Sequence, residues 1–281
     1  MSSDKTLAKK VVIVTGAASM RGLGRAMTHA LLDAGARVAM LDHDEATLGQ
    51  AYDEVKEIFD DPDAHPWVLD VTDPAAVADV VGEIVAKLGG VDVLVNNAGI
   101  GIGAGVPRGP FWELPVEAFQ RIVSVNYLGA VYMARACVPR MLEQGSGSII
   151  GVTTSLDTML LGSTTAYGAP KAAHEAFIAS AASALENTGV RVNVLVPGGM
   201  ADTNLIGSEF TGDRSTLIRP EVMKAPVVWL ASDAAKDVTG LRFIASLWDE
   251  SLPVEERIRR AGAPAAWKPL GRRSTWSGVA E

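Results

Sequence analysis

The sequence predicts an α/β fold in a single domain: a doubly wound, parallel β-sheet covered by helices on both faces. Two observations carry this. Short apolar runs alternate with longer amphipathic ones along the chain. The short runs also lack polar alternation, as expected of strands buried on both faces. Right-handed crossovers between such strands give the Rossmann-type arrangement.

The elements follow in order. Residues 11–14 are β-branched and end in Thr15-Gly16, a strand followed by a turn. Residues 24–34 read as a helix stopped by Gly35. Residues 37–41 form the next strand, ending at Asp42, and 45–59 are helical. A short strand, 67–69, precedes Asp70. Val77, Val80, Val81, Ile84, Val85 and Leu88 recur at helical spacing, with Gly89-Gly90 as the stop. Residues 91–95 are a continuous apolar strand. Alternation continues through 148–153, 167–187, 191–196, 222–231 and 241–245. Two stretches stand outside it: a polar loop, 201–219, and an extension, 246–281, containing Trp248, Trp267 and Trp276. We expect residues 1–245 to form one Rossmann-type domain. The extension is expected to pack on the substrate site or a neighbouring subunit, because three free tryptophans would expose a large apolar patch.

The 281 residues carry a formal net charge of −8 and are 48% apolar. That suits one sizeable core. The acidic balance argues against nucleic acid as a partner, since phosphate binding wants a basic face. Cys137 is the single cysteine, so it forms no internal disulfide and a reducing compartment, the cytoplasm, is expected. Residues 132–142 around it read as a buried helix, which makes the thiol core filler. No apolar run reaches the roughly 18 residues of a membrane span, and residues 1–10 lack the apolar centre of a signal peptide. His29, His43, His65 and His174 show no metal-ligand pattern, so no metal is expected.

The first strand runs into Thr15-Gly16-Ala17-Ala18-Ser19-Met20-Arg21-Gly22-Leu23-Gly24, which opens a helix. Glycines at 16, 22 and 24 let the backbone turn tightly and approach a pyrophosphate. The amides of this loop, from Ser19 to Leu23, and the positive helix end then face the anion. A glycine turn alone is weak; between the first strand and first helix of an α/β chain it is much stronger. Asp42 ends the second strand, where a carboxylate accepts hydrogen bonds from the adenosine ribose and repels a 2′-phosphate. That favours NAD over NADP. Asp70-Val71 follows the third strand and Asn96-Asn97-Ala98-Gly99 the fourth.

These motifs, in this order, resemble the short-chain dehydrogenase/reductase family, whose glycine motif is TGxxxGxG and whose fourth strand ends in NNAG. The resemblance runs from about Lys10 to Ala245. It implies a nicotinamide cofactor and the interconversion of an alcohol and a carbonyl. It places Asp70 and Val71 near the adenine, and Asn97, Ala98 and Gly99 beside the cofactor. Arg191-Val192-Asn193 through Pro197-Gly198 resembles RVNxxxPG, with Pro197 and Gly198 bordering the nicotinamide. Met200 and Thr203 follow in the PGxxxT stretch, where Thr203 falls one residue late and Asp202 occupies the usual place. The chain also departs at the cradle: five residues separate Gly16 from Gly22 where the family has three, so Met20-Arg21 stands as an insertion. A basic residue before that glycine often meets the 2′-phosphate in NADP-preferring relatives. Arg21 therefore argues against Asp42, and the balance stays with NAD. The family's DGG ending is replaced by Ala245-Ser246-Leu247-Trp248-Asp249.

Tyr167-Gly168-Ala169-Pro170-Lys171 matches YxxxK. At i and i+4 the two side chains share a helix face. A free tyrosine, with pKa near 10, needs a neighbouring positive charge to act as a base near neutrality; Lys171 supplies one and can also hold the nicotinamide ribose. Pro170 requires that the helix start close to Tyr167. A third group, a hydroxyl, is expected after the strand 148–153. Alignment with the family's GxIVNISS places Thr154 on the catalytic serine, while Ser155, one position on, is the commoner chemistry. Either can donate to a carbonyl oxygen; the register favours Thr154. Asn126, in a segment resembling the family's VN element, is expected to hold a water that links Lys171 to solvent.

Two other classes share parts of this pattern. A sugar-nucleotide epimerase or dehydratase also carries YxxxK, but with a larger C-terminal domain than this chain has. A non-catalytic NAD(P)-sensing protein tends to lose the tyrosine or the lysine, and both are here. The segment 99–111, with Arg108 among few charges, points to a moderately apolar or ring-bearing substrate. The resemblance implies a homo-oligomer, a homotetramer, assembled through helices 126–142 and 167–187, which here are rich in alanine and apolar residues.

Overall fold

The computed structural model describes residues 5–101, 103, 109–207 and 210–267. One sheet of eight strands runs through the molecule in the order β3-β2-β1-β4-β5-β6-β7-β8. The strands are β1 (Val11–Thr15), β2 (Arg37–Asp42), β3 (Ala64–Val68), β4 (Val93–Asn96), β5 (Gly147–Val152), β6 (Val190–Val196), β7 (Leu241–Ile244) and β8 (Gly262–Pro264). Strands β1 to β7 pair in parallel, and β8 is antiparallel to β7. The order reverses between β1 and β4, the switch point at which open α/β sheets bind ligands beyond the carboxyl ends of their strands.

Helices cover both faces: α1 (Leu23–Asp33), α2 (Glu45–Ile58), α3 (Pro74–Leu88), α4 (Val116–Val123), α5 (Gly129–Gln144), α6 (Leu156–Leu160), α7 (Thr165–Ala184), α8 (Lys224–Ala231) and α9 (Val254–Ala261). The core divides in two at the sheet. On one face Val12, Val14, Met27, Leu31 and Leu230 pack together; on the other Ile13, Leu94, Ile84, Met133 and Ile178 do. Alternate residues of β1 feed opposite layers, which is why its run is apolar without a break.

The departures from sequence expectation have local causes. The third strand starts earlier, at Ala64, because Pro66 is acceptable on an edge strand. α7 starts at Thr165, so Pro170 sits in its second turn. Ser124–Leu128 form a π-helical turn between α4 and α5. Beyond residue 245 the chain makes α9 and β8, and the Trp248 ring lies 4.8 Å from that of Trp229. Trp276 and Arg108 lie outside the described residues. Within these residues no helix is long and apolar enough to cross a membrane, and no group of three or more metal-ligating side chains converges.

Candidate active site

A cleft of about 1230 Å³ opens at the switch point. Gly16, Ser19, Gly22, Leu23 and Gly24 form one end, and Tyr167, Lys171 and Thr154 line it further along. The cradle depends on two glycines. Gly16 has φ +67°, which favours glycine. A Cβ at Gly24 would collide with the Gly16 carbonyl, so only glycine lets α1 begin this close to the turn. Asn97 ties the same turn down: its Nδ2 donates to the Thr15 and Gly16 carbonyls at 2.9 and 3.1 Å. The Thr15 hydroxyl accepts from the amides of Asn97 and Ala98, both at 3.0 Å. The NNAG segment thus fixes the glycine loop across the switch point.

Asp42 lines the cleft at the end of β2. Its Oδ2 accepts from the Ala18 amide at 3.0 Å and its Oδ1 from the His43 amide at 2.8 Å. One carboxylate therefore braces the phosphate loop while facing the place expected for the ribose. Asp70 and Val71 also line the cleft. Asp70 closes a local turn by accepting from the Thr72 amide at 2.9 Å, and Asp73, not Asp70, caps α3. Arg21 stands off the cleft. The two extra residues carry it outward, to within 4.0 Å of Asp202 Oδ1 on the loop after β6, where Arg214 pairs with the same carboxylate. Pro197, Met200 and Thr203 line the cleft with Ala98 and Gly99. Gly198 lies behind that wall at φ +106°, and a Cβ there would strike the Ser246 hydroxyl.

At the reacting end, the helix start brings Tyr167 and Lys171 onto the cleft face of α7. Burial pushes the Tyr167 phenol up to about 12, and the neighbouring Thr154 side chain opposes this. Burial lowers Lys171 to about 8. Its Nζ donates to the Val152 carbonyl at 2.9 Å, so the ammonium is anchored to the end of β5. Thr154 and Ser155 diverge. Thr154 lines the cleft with the tyrosine, whereas Ser155 caps α6 by accepting from the Thr158 amide at 3.2 Å. Asn126, buried in the π turn, exchanges two hydrogen bonds with the Ile100 backbone at 2.8 and 2.9 Å. One amide N–H and one lone pair remain for a water. Gly99 passes between Asn126 and Lys171: a Cβ on it would lie 3.3 Å from Asn126 Oδ1 and 3.4 Å from Lys171 Nζ.

Ile100, within the segment 99–111 expected at the substrate, lines the cleft, and so do Leu161, Leu205, Ile206 and Phe210, which sequence reasoning missed. Their one sequence signal is position, in loops that follow strands at the carboxyl edge of the sheet. The Arg191 motif proves structural: its guanidinium donates to the Leu230 and Ser232 carbonyls at 2.7 and 2.9 Å, holding the end of α8.

A nucleotide cradle joined to a Tyr-Lys-Thr constellation on this sheet defines a nicotinamide-dependent oxidoreductase of CH–OH groups. The family model for short chain dehydrogenases matches residues 10–213, and the chain belongs to that family. A cis-4-hydroxycyclohexanecarboxylate dehydrogenase from Sinomonas cyclohexanicum is 34% identical over 84% of this chain and 94% of its own. A 1-deoxy-11-beta-hydroxypentalenate dehydrogenase from Streptomyces avermitilis is 39% identical over 68% of this chain and 69% of its own. A crystal structure from Beutenbergia cavernae with NADP bound at low occupancy superposes with TM-score 0.75 at 31% identity, covering 86% of this chain and 96% of that one.

Proposed function

We propose that this protein oxidises a secondary alcohol on a largely apolar, cyclic skeleton to the ketone, with NAD preferred over NADP and Tyr167 as the acid–base group. The observation that carries the reading is that Thr154, Tyr167 and Lys171 line the same cleft as the glycine cradle. The cradle fits a dinucleotide: Gly16, Gly22 and Gly24 let the loop fold tightly against Asn97, Ala98, Ser19 and the Gly16 carbonyl, and the start of α1, whose first amides lack intrahelical partners, lies at the cleft. Gly16, Ser19, Gly22 and Leu23 would hold the pyrophosphate, Asp42 the adenosine ribose, and Lys171 the nicotinamide ribose. When bound, the nicotinamide accepts the hydride, or gives it up in the reverse direction.

The chain's own residues handle the proton and the oxygen. Thr154 Oγ1 holds the substrate oxygen next to Tyr167 Oη. In reduction the phenol donates its proton to the developing alkoxide. In oxidation the phenolate takes the hydroxyl proton, so oxidation gains with pH as the phenol ionises. Lys171, anchored at Val152, keeps a positive charge near the phenol while protonated.

The substrate class rests on the wall formed by Ile100, Leu161, Leu205, Ile206 and Phe210. Two relatives are named for cyclohexanecarboxylate and pentalenate substrates. Asp42 supports NAD because its carboxylate lines the cleft at the end of β2, where it would repel a 2′-phosphate, while Arg21 does not line the cleft and lies 4.0 Å from Asp202. A turnover screen of cyclic, open-chain and sugar alcohols with each cofactor tests this reading. Highest kcat/KM is expected for cyclic secondary alcohols with NAD, and no turnover of any alcohol would refute it. We further propose a cytoplasmic homotetramer assembled through α5 and α7, for which light scattering at micromolar concentration would give four chain masses. The extension, 246–281, is proposed to finish over the substrate site or a neighbouring subunit.

A further inference from the structure

Behind the catalytic hydroxyl lies a set of buried charges that the proposed chemistry does not use. Glu175 is fully buried on α7, and Arg242, 5% exposed, is on β7. Tyr167, Lys171 and Glu175 are spaced by four, so they form one stripe along the helix. Glu175 and Arg242 form an ion pair, and neither lines the cleft. Each also grips the segment carrying the catalytic hydroxyl. Thr153 Oγ1 donates to Glu175 Oε2 at 2.9 Å, and Arg242 donates to the Thr154 carbonyl at 2.7 Å. The last arm comes from the extension: the Ala266 amide donates to Glu175 Oε1 at 3.2 Å.

A buried ion pair is poor value as a stabiliser, because desolvation offsets most of its attraction. What this pair does achieve is geometric. It fixes the side chain of one residue and the carbonyl of the next, at the point where β5 ends and the chain turns into α6. With both held, the backbone that presents Thr154 to the cleft shared with Tyr167 is fixed.

We propose that Glu175 and Arg242 are positioning residues, which aim Thr154 at Tyr167 and are completed by docking of the extension at Ala266. This rests on the reading of Thr154 and Tyr167 given above. The charged and titratable groups around the pair are Lys171 and His174 on α7, while Thr153 and the Ala266 amide are neutral. Among them only Lys171 shares the cleft with Tyr167.

The test replaces the pair by apolar side chains of similar size, Glu175→Leu with Arg242→Met, in the full chain. The double variant should fold with a melting temperature near that of the wild type and bind NAD with an unchanged Kd. Its kcat should fall roughly 10-fold to 100-fold, as for a misplaced reacting group. The midpoint of the pH profile for alcohol oxidation should move upward, because the Thr154 side chain no longer favours the phenolate. Arg242→Lys keeps the charge but loses the second arm, so it should show a smaller shift in the same direction. It serves as the deciding variant if the double one does not fold. A folded variant with wild-type kcat and an unmoved pH midpoint would overturn the proposal. If Thr154→Ala itself leaves both quantities unmoved, the reading of the site has failed instead, and the pair has nothing to position.

Discussion

At the residue scale, the site turns on which of two adjacent hydroxyls reaches the phenol. Spacing to the tyrosine favoured Thr154, and commoner chemistry favoured Ser155. The separation is a matter of helix capping. Ser155 satisfies an orphan amide at the start of α6 and does not line the cleft, whereas Thr154 does. Thr154→Ala should therefore lower kcat about 100-fold, while Ser155→Ala should cost stability and little kcat. Equal losses in the two variants would count against this assignment. His174 makes a different prediction. It is buried beside Lys171, both ring nitrogens lack hydrogen-bond partners, and burial lowers it to about 3. The unfolded chain takes up a proton on this ring between pH 6.5 and 3 while the folded chain does not, so stability is lost as pH falls through that window. The loss is about 2 kcal/mol at pH 5. Thermal melts of His174→Leu should show the variant gaining on the wild type as pH drops from 7 to 5. A constant difference across that range would show that the ring does not titrate as described.

At the element scale, the phosphate loop was legible because its glycines are demanded by close approach, and such demands leave a mark in sequence. The inserted Met20-Arg21 was legible as an insertion but not in its effect. Where Arg21 goes depends on Asp202 and Arg214, nearly two hundred residues further on, and no local pattern announces that ion pair. Asp42 carries a testable consequence. Asp42→Ala should reduce the preference for NAD over NADP, measured as a ratio of kcat/KM values. It should also raise KM for both cofactors, because the Ala18 amide loses its acceptor. An unchanged ratio would leave Asp42 as a brace of the loop and nothing more. The π turn that seats Asn126 had no sequence signature, since it is set by packing between α4, α5 and the Ile100 backbone.

At the scale of the whole molecule, the strand–helix alternation gave the sheet and its switch point, because burial on both faces forces apolar runs. The end of the sheet was hidden. β8 is three residues long, contains Pro264 and has no apolar alternation. It exists because Trp248 packs on Trp229 and Phe243, and α9 then returns the chain to the edge of β7. Truncation after Ala245 should therefore lower both the melting temperature and the activity, and a truncated protein with unchanged melting and kinetics would show the extension to be dispensable. The buried Glu175 and Arg242 were equally hidden, since single charges inside apolar elements read as surface positions until the pairing is seen. The proposed proton transfer runs through one phenol, and Tyr167→Phe probes it alone, because the ring volume is kept and only the hydroxyl is lost. With melting temperature and NAD binding measured alongside, turnover should fall by roughly 10²–10⁴-fold while folding and cofactor affinity stay near those of the wild type. A folded, NAD-binding Tyr167→Phe variant with near-normal turnover would contradict the account.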